Sequence, residues 1–253
     1  MKYLQNQLAV VTGGGSGIGR ATSIALASCG AHTIVIDMSE ESAKETCDAI
    51  VSAGGKASFL IGSVADPKEV ARLFAQVDDI GALDILVNNA GISGNRPALE
   101  ITDEEWRTVM GVNLDGVFFC AREAGRRMTS KGRGTIINIG SIYSVVAAPN
   151  RLSYCASKAA VEMMTRSLAI EWAEAGVRVN GVAPGYVDTP LIQSLSDEGR
   201  LDLKPLLKRT PLGRLATPED IAGVVAFLCE PRAAYITGQM LPVDGGWTAY
   251  GYV

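Results

Sequence analysis

The chain is poor in the residue types on which several common active sites depend. Histidine occurs once in 253 residues, as His32, beside the β-like run Thr33–Ile36 and far from any candidate nucleophile. This disfavours a Ser-His-Asp or Cys-His hydrolase and a histidine-based metal site. The five cysteines show neither CxxC nor metal-ligand spacing. We therefore expect no metal, and buried thiols in a reducing compartment.

Long apolar runs and an excess of positive charge are also missing. No run is long enough to cross a membrane, and the first seven residues lack the apolar stretch of a signal peptide. The net charge is −4, which does not suggest a nucleic-acid-binding surface. With 47% hydrophobic and 20% charged residues the chain can fill a sizeable core. These features predict a cytoplasmic protein that binds neither nucleic acid nor membrane.

A glycine-rich segment follows the first apolar run, Leu8–Val11. It reads Thr12-Gly13-Gly14-Gly15-Ser16-Gly17-Ile18-Gly19. A helix pattern then ends at Gly30, and a second strand ends at Asp37. The glycines allow the backbone to approach a pyrophosphate, and the helix N-terminus supplies N–H groups. The spacing is TGxxxGxG and not GxGxxG, so a tight turn that binds no phosphate is the alternative.

Strand and helix patterns alternate along the rest of the chain. Further strands are predicted at Ala57–Ile61, Ile85–Val87 and Thr135–Ile139. Helices are predicted after the capping residues Ser39, Asp66, Thr102 and Thr217. The helix after Thr102 can run, with a bend, from Trp106 past Asn113 to Met128. This alternation predicts one α/β domain, a doubly wound parallel sheet with helices on both faces, over residues 1–253.

Tyr154 and Lys158 are four residues apart, which places them on one face of a helix. A fixed ammonium beside a phenol favours the phenolate and lowers its pKa, so the pair makes a candidate proton carrier. A half-exposed tyrosine beside a solvated lysine is the alternative. Ser141 follows the fifth strand, where its hydroxyl could hold a substrate oxygen near Tyr154. Taken alone it could also be a loop serine.

Several motifs in this order resemble the short-chain dehydrogenase/reductase family. They are Thr12-Gly13-xxx-Gly17-Ile18-Gly19, Asn88-Asn89-Ala90-Gly91, Ser141, Tyr154-xxx-Lys158 and Pro184-Gly185. The similarity continues to Val243-Asp244-Gly245-Gly246 and covers essentially the whole chain. The resemblance implies a Rossmann-type sheet of seven parallel strands, a nicotinamide cofactor and a homotetramer.

The resemblance also implies residue roles. Tyr154 is the expected acid/base, Lys158 lowers its pKa and holds the nicotinamide ribose, and Ser141 polarises the substrate oxygen. Asn113 is expected to hold a helix kink and a water of the proton relay, although it could simply break a long helix. The expected cofactor-binding residues are Gly13, Ser16, Gly17, Ile18, Gly19, Asp37, Met38, Ser63, Val64, Asn89, Gly91, Tyr154, Lys158, Pro184, Gly185, Val187 and Thr189. Ser63-Val64 stand where many relatives have Asp-Val, so the adenine contact departs from the family pattern.

The chain divides into a nucleotide-binding half, about residues 1–130, and a catalytic and substrate half, about 131–253. Residues 188–215 are predicted to form a substrate lid, with an ordinary surface insertion as the alternative. The expected substrate contacts are Ser141, Tyr143, Asn95, Asn150 and Tyr186, joined by Arg96. These side chains fit a polyol, a sugar, a hydroxy acid or an aryl alcohol, and do not choose among them.

The predicted function is NAD-dependent interconversion of a secondary alcohol and its ketone. Asp37 can accept hydrogen bonds from the adenosine ribose and repels a 2′-phosphate, and neither Ser16 nor Met38 supplies a compensating base. The alternative is an NADPH-dependent 3-oxoacyl-carrier-protein reductase. A dinucleotide-binding regulator would not need Ser141, Tyr154 and Lys158 together.

The aromatic C-terminal segment, residues 246–253, suggests docking onto a neighbouring subunit.

Overall fold

The computed structural model describes residues 2–197, 199 and 202–251. The strands are β1 (Leu8–Thr12), β2 (His32–Asp37), β3 (Lys56–Ile61), β4 (Leu83–Asn88), β5 (Gly134–Ile139), β6 (Val177–Pro184) and β7 (Met240–Val243). Within these residues they form one seven-stranded sheet in the order β3-β2-β1-β4-β5-β6-β7, and every neighbouring pair is parallel. The predicted doubly wound sheet is confirmed.

Helices connect the strands. In the described part of the chain they are α1 (Gly17–Ser28), α2 (Glu40–Ser52), α3 (Pro67–Ile80), α4 (Asp103–Met110), α5 (Gly116–Lys131), α6 (Leu152–Trp172), α7 (Pro190–Asp197), α8 (Leu203–Arg209) and α9 (Pro218–Cys229). Helices α3, α5 and α6 cover one face of the sheet, and α1, α2 and α9 cover the other. None of the helices in these ranges is long and apolar enough to cross a membrane.

Both faces of the sheet are buried, and successive residues of each strand face opposite sides. Leu86 and Ile136 pack towards α3 and α5, whereas Ile85 and Ile137 pack towards α1 and α9. All four side chains are at most 1% exposed. Burying apolar surface on two faces stabilises the sheet and explains why its strands have continuous apolar sequences.

The caps that the sequence indicates are present. Ser39 accepts a hydrogen bond from the Ser42 N–H, and Asp66 accepts one from the Lys68 N–H. Thr102 and Glu105 form a reciprocal capping box at the start of α4. Each cap satisfies backbone donors that the first helical turn leaves unpaired.

The long helix predicted through Asn113 is continuous but contains a change of winding. Gly111–Asp115 form a π-helical turn between α4 and α5, and the backbone stays in the right-handed helical region at both junctions. Turns of this kind insert an extra residue and often occur at functional sites. Asn113 lies in this turn and is fully buried.

The parallel arrangement places the carboxyl ends of all strands along one edge of the sheet. The residues that end β1, β2, β4, β5 and β6 are Thr12, Asp37, Asn88, Ile139 and Pro184. The connections that follow these strands carry most of the predicted site residues, so the fold itself brings them together.

Candidate active site

A cleft of about 510 Å³ runs along this edge of the sheet. The predicted cofactor residues that line it are Gly13, Ser16, Gly17, Ile18, Asp37, Met38, Ser63, Val64, Asn89, Gly91, Tyr154, Lys158, Pro184, Gly185, Val187 and Thr189. Gly19 is buried behind the glycine loop. A single continuous cleft therefore brings together nearly all of the residues that the resemblance implies.

The glycine loop is held by close packing and by a side-chain amide. Gly13 has a left-handed backbone conformation, with φ +61°. A Cβ atom on Gly19 would come within 2.0 Å of the Gly13 carbonyl oxygen, so the start of α1 can approach the loop only as glycine. Asn89, after β4, donates its side-chain N–H groups to the carbonyls of Thr12 (3.0 Å) and Gly13 (2.9 Å).

The N-terminus of α1 opens onto the cleft. Ser16 precedes the helix with an extended backbone, its side chain makes no capping hydrogen bond, and no acidic residue lies in the first turn. Ser16, Gly17 and Ile18 line the cleft. Unpaired backbone N–H groups and the positive end of a helix suit an anion such as a pyrophosphate. These residues fit a dinucleotide cofactor.

Asp37 makes local hydrogen bonds to the backbone and also faces the cleft. Its carboxylate accepts hydrogen bonds from the N–H groups of Gly15 (2.9 Å) and Ser39 (3.0 Å), so it braces the glycine loop and the entry to α2. It also lines the cleft. The basic residues among the described lining side chains are Arg151 and Lys158, which lie near β5, three strands away from β2.

Ser141 and Tyr154 meet at the end of β5. Ser141 is 6% exposed, and its hydroxyl accepts a hydrogen bond from the Tyr143 N–H at 3.1 Å. Burial raises the pKa of Tyr154, while a hydrogen bond with Ser141 and the positive charge of Arg151 lower that pKa in part. A protonated phenol beside a hydroxyl forms two adjacent hydrogen-bond donors for one substrate oxygen.

Lys158 lies on the same helix as Tyr154 and is buried. Its Nζ is 5.7 Å from the centroid of the Tyr154 ring and donates to the Ile139 carbonyl at 2.8 Å. Burial lowers the pKa of Lys158 to about 8. Burial raises the pKa of Tyr154 overall, with opposing effects from Ser141 and Arg151, and the expected lowering of that pKa by Lys158 stays a prediction.

Asn113 links three elements below the cleft. Its Oδ1 accepts from the Ile92 N–H at 2.8 Å, and its Nδ2 donates to the Ile92 carbonyl at 2.9 Å and to the Ser157 hydroxyl at 3.2 Å. The amide therefore ties the π-helical turn to the loop after β4 and to α6. Its place in a proton relay stays a prediction.

Aromatic side chains form the wall beyond Tyr154. The Tyr143 and Tyr186 hydroxyls are 2.6 Å apart and hydrogen-bonded. Tyr143 packs edge-on against Tyr154, with 6.2 Å between ring centroids, and Trp247 packs on Tyr186 at 5.2 Å. The aromatic C-terminal segment thus contacts its own chain through Trp247, which accounts for one of its rings without a neighbouring subunit. Residues 252 and 253 of that segment lie outside the described residues.

The predicted lid contains α7 and α8, and Thr189, Pro190 and Ile192 at its start line the cleft. Residues 198, 200 and 201 of the lid lie outside the described part of the chain.

Two predicted substrate residues do not line the cleft. Asn95 is exposed. Asn150 has a left-handed backbone, with φ +62°, and its carbonyl accepts from the Arg96 N–H at 3.0 Å, so it is a turn residue. Arg96 forms an ion pair with Glu105 at 2.8 Å. Sequence reasoning missed Arg151, which lines the cleft, although its position three residues before Tyr154 places it beside that tyrosine.

The buried ammonium of Lys158 predicts a specific pH dependence of stability. Because its pKa falls from 10.5 to about 8 on folding, the unfolded chain binds more protons than the native protein between these pH values. The free energy of unfolding should therefore rise by about 3 kcal/mol over this range relative to Lys158→Met. Below pH 8 the difference between the two proteins should stay constant.

Urea denaturation of both proteins from pH 7 to 10.5 measures this difference. Lys68→Met makes the same change at an exposed lysine, and we expect no comparable rise there. A wild-type protein whose stability tracks that of Lys158→Met across the range would contradict the burial of a charged Lys158.

Comparison with known proteins agrees with this geometry. The family model described as enoyl-(acyl carrier protein) reductase, a short-chain alcohol dehydrogenase model, matches residues 13–248. The cis-4-hydroxycyclohexanecarboxylate dehydrogenase of Sinomonas cyclohexanicum is 42% identical over 96% of this chain and 97% of its own. The 3-oxoacyl-[acyl-carrier-protein] reductase of Vibrio cholerae is 41% identical over 96% of this chain and 98% of its own.

Solved structures extend the likeness to three dimensions. A crystal structure of a gluconate 5-dehydrogenase from Burkholderia cenocepacia, in complex with NADP and tartrate, superposes with a TM-score of 0.93 at 37% identity. The alignment covers 98% of both chains. The chain therefore belongs to the short-chain dehydrogenase/reductase family of oxidoreductases.

Proposed function

We propose that the protein is an NAD-dependent dehydrogenase that interconverts a secondary alcohol and its ketone, with Tyr154 as the acid/base. The observation that carries this proposal is the convergence of Ser141, Tyr154 and Lys158 in the cleft that the glycine loop and the α1 N-terminus also line. One end supplies an anion site, and the other supplies hydroxyl groups and a buried ammonium. The alcohols and hydroxy acids named for the relatives fit such a site.

The chain's own residues bind the substrate and handle its proton. The Ser141 and Tyr154 hydroxyls converge on one substrate oxygen. During oxidation Tyr154 as phenolate accepts the alcohol proton, and during reduction the phenol returns a proton to the ketone oxygen. Lys158 holds a positive charge beside the phenol and is placed to donate to a ribose hydroxyl. A bound nicotinamide ring would accept or supply the hydride.

Asp37 supports NAD over NADP. Its carboxylate lies in the cleft at the end of β2, where a Rossmann-type fold places the adenosine ribose. A 2′-phosphate would bring like charge against it, and the described lining residues include no base at this end. The nearby Arg20 pairs with Glu45 at 3.3 Å. The Burkholderia relative was crystallised with NADP, so membership of the family does not decide the cofactor. The proposed preference for NAD is therefore argued from the residues of this chain.

An NADPH-dependent 3-oxoacyl-carrier-protein reductase is the second candidate. The description of the matching family model and the Vibrio relative favour it, and Ser141 and Tyr154 suit either reaction. Asp37 argues against it, because it disfavours NADPH. Assays of acetoacetyl thioesters with NADPH, run beside secondary alcohols with NAD, separate the two candidates by which pair reacts.

We further propose that residues 1–253 work as one domain, with the cofactor held mainly by residues 1–130 and the substrate by residues 131–253 under a lid at 188–215. The cysteines are free thiols, which supports a reducing, cytoplasmic setting that cell fractionation can test.

Replacing Tyr154 should separate cofactor binding from chemistry. Tyr154→Phe removes the proton carrier, so we expect turnover to fall by about 10²–10⁴-fold while NADH still binds. In the wild type, alcohol oxidation should increase with pH until the phenol, whose pKa burial raises, is deprotonated. Tyr235→Phe makes the same change at an exposed residue and should alter neither property. Near-normal turnover in Tyr154→Phe would refute the assignment.

Asp37 should decide the choice of cofactor. By fluorescence titration, we expect the wild type to bind NADH about a hundredfold more tightly than NADPH, since a like charge a few ångströms away costs several kcal/mol. Asp37→Asn removes the charge and keeps one oxygen to accept from the N–H of Gly15 or of Ser39, and should reduce this ratio at least tenfold. Asp48→Asn makes the same change at an exposed acid of α2 outside the cleft and serves as the control. Equal affinities in the wild type would contradict the proposal.

The outer surface of α5 and α6 supports the proposed homotetramer. Phe118 on α5 and Met163 and Ile170 on α6 are 41%, 57% and 80% exposed, and large exposed apolar side chains are common at subunit interfaces. Light scattering should give a mass about four times 26.6 kDa. Ile170→Glu should weaken assembly, whereas Val51→Glu, an equivalent change on α2, should not. A monomer at micromolar concentration would rule out the tetramer.

A further inference from the structure

Arg151 is a cation at the substrate end of the cleft with no carboxylate of its own. It lines the cleft and lies directly before α6, three residues from Tyr154. In the described chain its guanidinium makes no hydrogen bond or ion pair, and it lies over the face of the Tyr143 ring, 5.9 Å from the centroid. Arg96, whose N–H donates to the carbonyl of the neighbouring Asn150, is instead paired with Glu105.

The surroundings of Arg151 are positive or apolar. Among the described residues that line the cleft, the acidic side chain is Asp37, which lies at the far end beside β2. Helix α6 begins beside Arg151 with no side-chain cap and no acid in its first turn, so its positive end adds to the guanidinium charge. The charge of Arg151 also acts on the Tyr143 and Tyr154 hydroxyls. Among the described lining residues, an anion at this end would meet no like charge.

Largely apolar side chains line the same cleft as Arg151, namely Ile142, Tyr143 and Tyr186. Such walls keep water away and strengthen an ion pair formed against them. A guanidinium offers two parallel N–H donors to one carboxylate, which fixes the direction of a bound acid as well as its affinity. The arrangement suits a molecule with a hydroxyl at one end and a carboxylate at the other.

Building on the proposed function, we propose that the substrate is a hydroxy acid whose carboxylate pairs with the Arg151 guanidinium while its alcohol group lies between Ser141 and Tyr154. The side chains of the site fit a polyol, a sugar, a hydroxy acid or an aryl alcohol, and the pairing with Arg151 favours the hydroxy acid because it alone carries a negative charge. Arg151 then acts as a specificity-determining residue, because it discriminates between an acid and a neutral molecule of the same shape.

The test compares two pairs of probes that differ only in charge. One pair is 4-hydroxycyclohexanecarboxylate and its carboxamide, and the other is 3-hydroxybutyrate and its amide, each assayed with NAD by the absorbance of NADH. In the wild type, kcat/KM for at least one acid should exceed that for its amide by about tenfold or more, as a charge-assisted bond predicts. Because each ratio compares an acid with its own amide in the same protein, an effect of a variant on catalysis that is common to both probes cancels.

The variants assign the preference to Arg151. Arg151→Gln should bring the acid-to-amide ratio close to one, and Arg151→Lys, which keeps the charge but loses the paired donors, should give an intermediate ratio. Arg96→Gln makes the same change at an arginine already paired with Glu105 and should keep the wild-type ratio. If Arg151→Gln does not fold, the acid-to-amide ratios of the wild type and of Arg151→Lys still test the proposed pairing.

Two outcomes overturn the inference alone. They are a wild type that uses amides as well as acids, and Arg151 variants that keep the wild-type ratio. Failure of all four probes and of neutral secondary alcohols to yield NADH overturns the proposed function, and this inference with it.

Discussion

The parallel direction of the seven strands is the constraint on which the site depends. Because each strand returns through a helix, all carboxyl ends meet at one edge, and residues distant in sequence become neighbours there. Thr12 and Asn89 lie 77 residues apart yet are joined by a hydrogen bond at this edge. A mixed sheet would send some of these ends to the opposite edge and would dismantle the cleft without changing a residue that lines it.

Local sequence signals were sufficient for the elements and for most of the cleft. Helix starts could be predicted from Ser39, Asp66 and Thr102 because a cap is a contact within three residues. Ser141 and Pro184 could be placed because strand ends are local features and the sheet edge follows from them. The glycine loop was predicted for the same reason, since its geometry depends on the absence of side chains.

Properties that depend on long-range packing could not be predicted in this way. The burial that raises the pKa of Tyr154 is an example, because no local sequence pattern reports it. Asn95 and Asn150 were chosen for their polarity, yet one faces solvent and the other forms a turn. Arg151 was overlooked because its interest lies in having no carboxylate partner among the described residues, and sequence spacing does not reveal an unpaired side chain. The π-helical turn at Asn113 likewise depends on its partners Ile92 and Ser157.

The two ends of the cleft present different kinds of chemical groups to a ligand. At the N-terminus of α1 the groups offered to an anion belong to the backbone, since Ser16 contributes no capping side chain, whereas at the substrate end Tyr143, Arg151 and Tyr186 present side chains. Backbone groups persist through most substitutions, but a side chain is changed by a single codon. Substrate preference in this architecture can therefore change over evolutionary time while the backbone anion site at the N-terminus of α1 is retained, which lets one scaffold diversify into enzymes for many substrates.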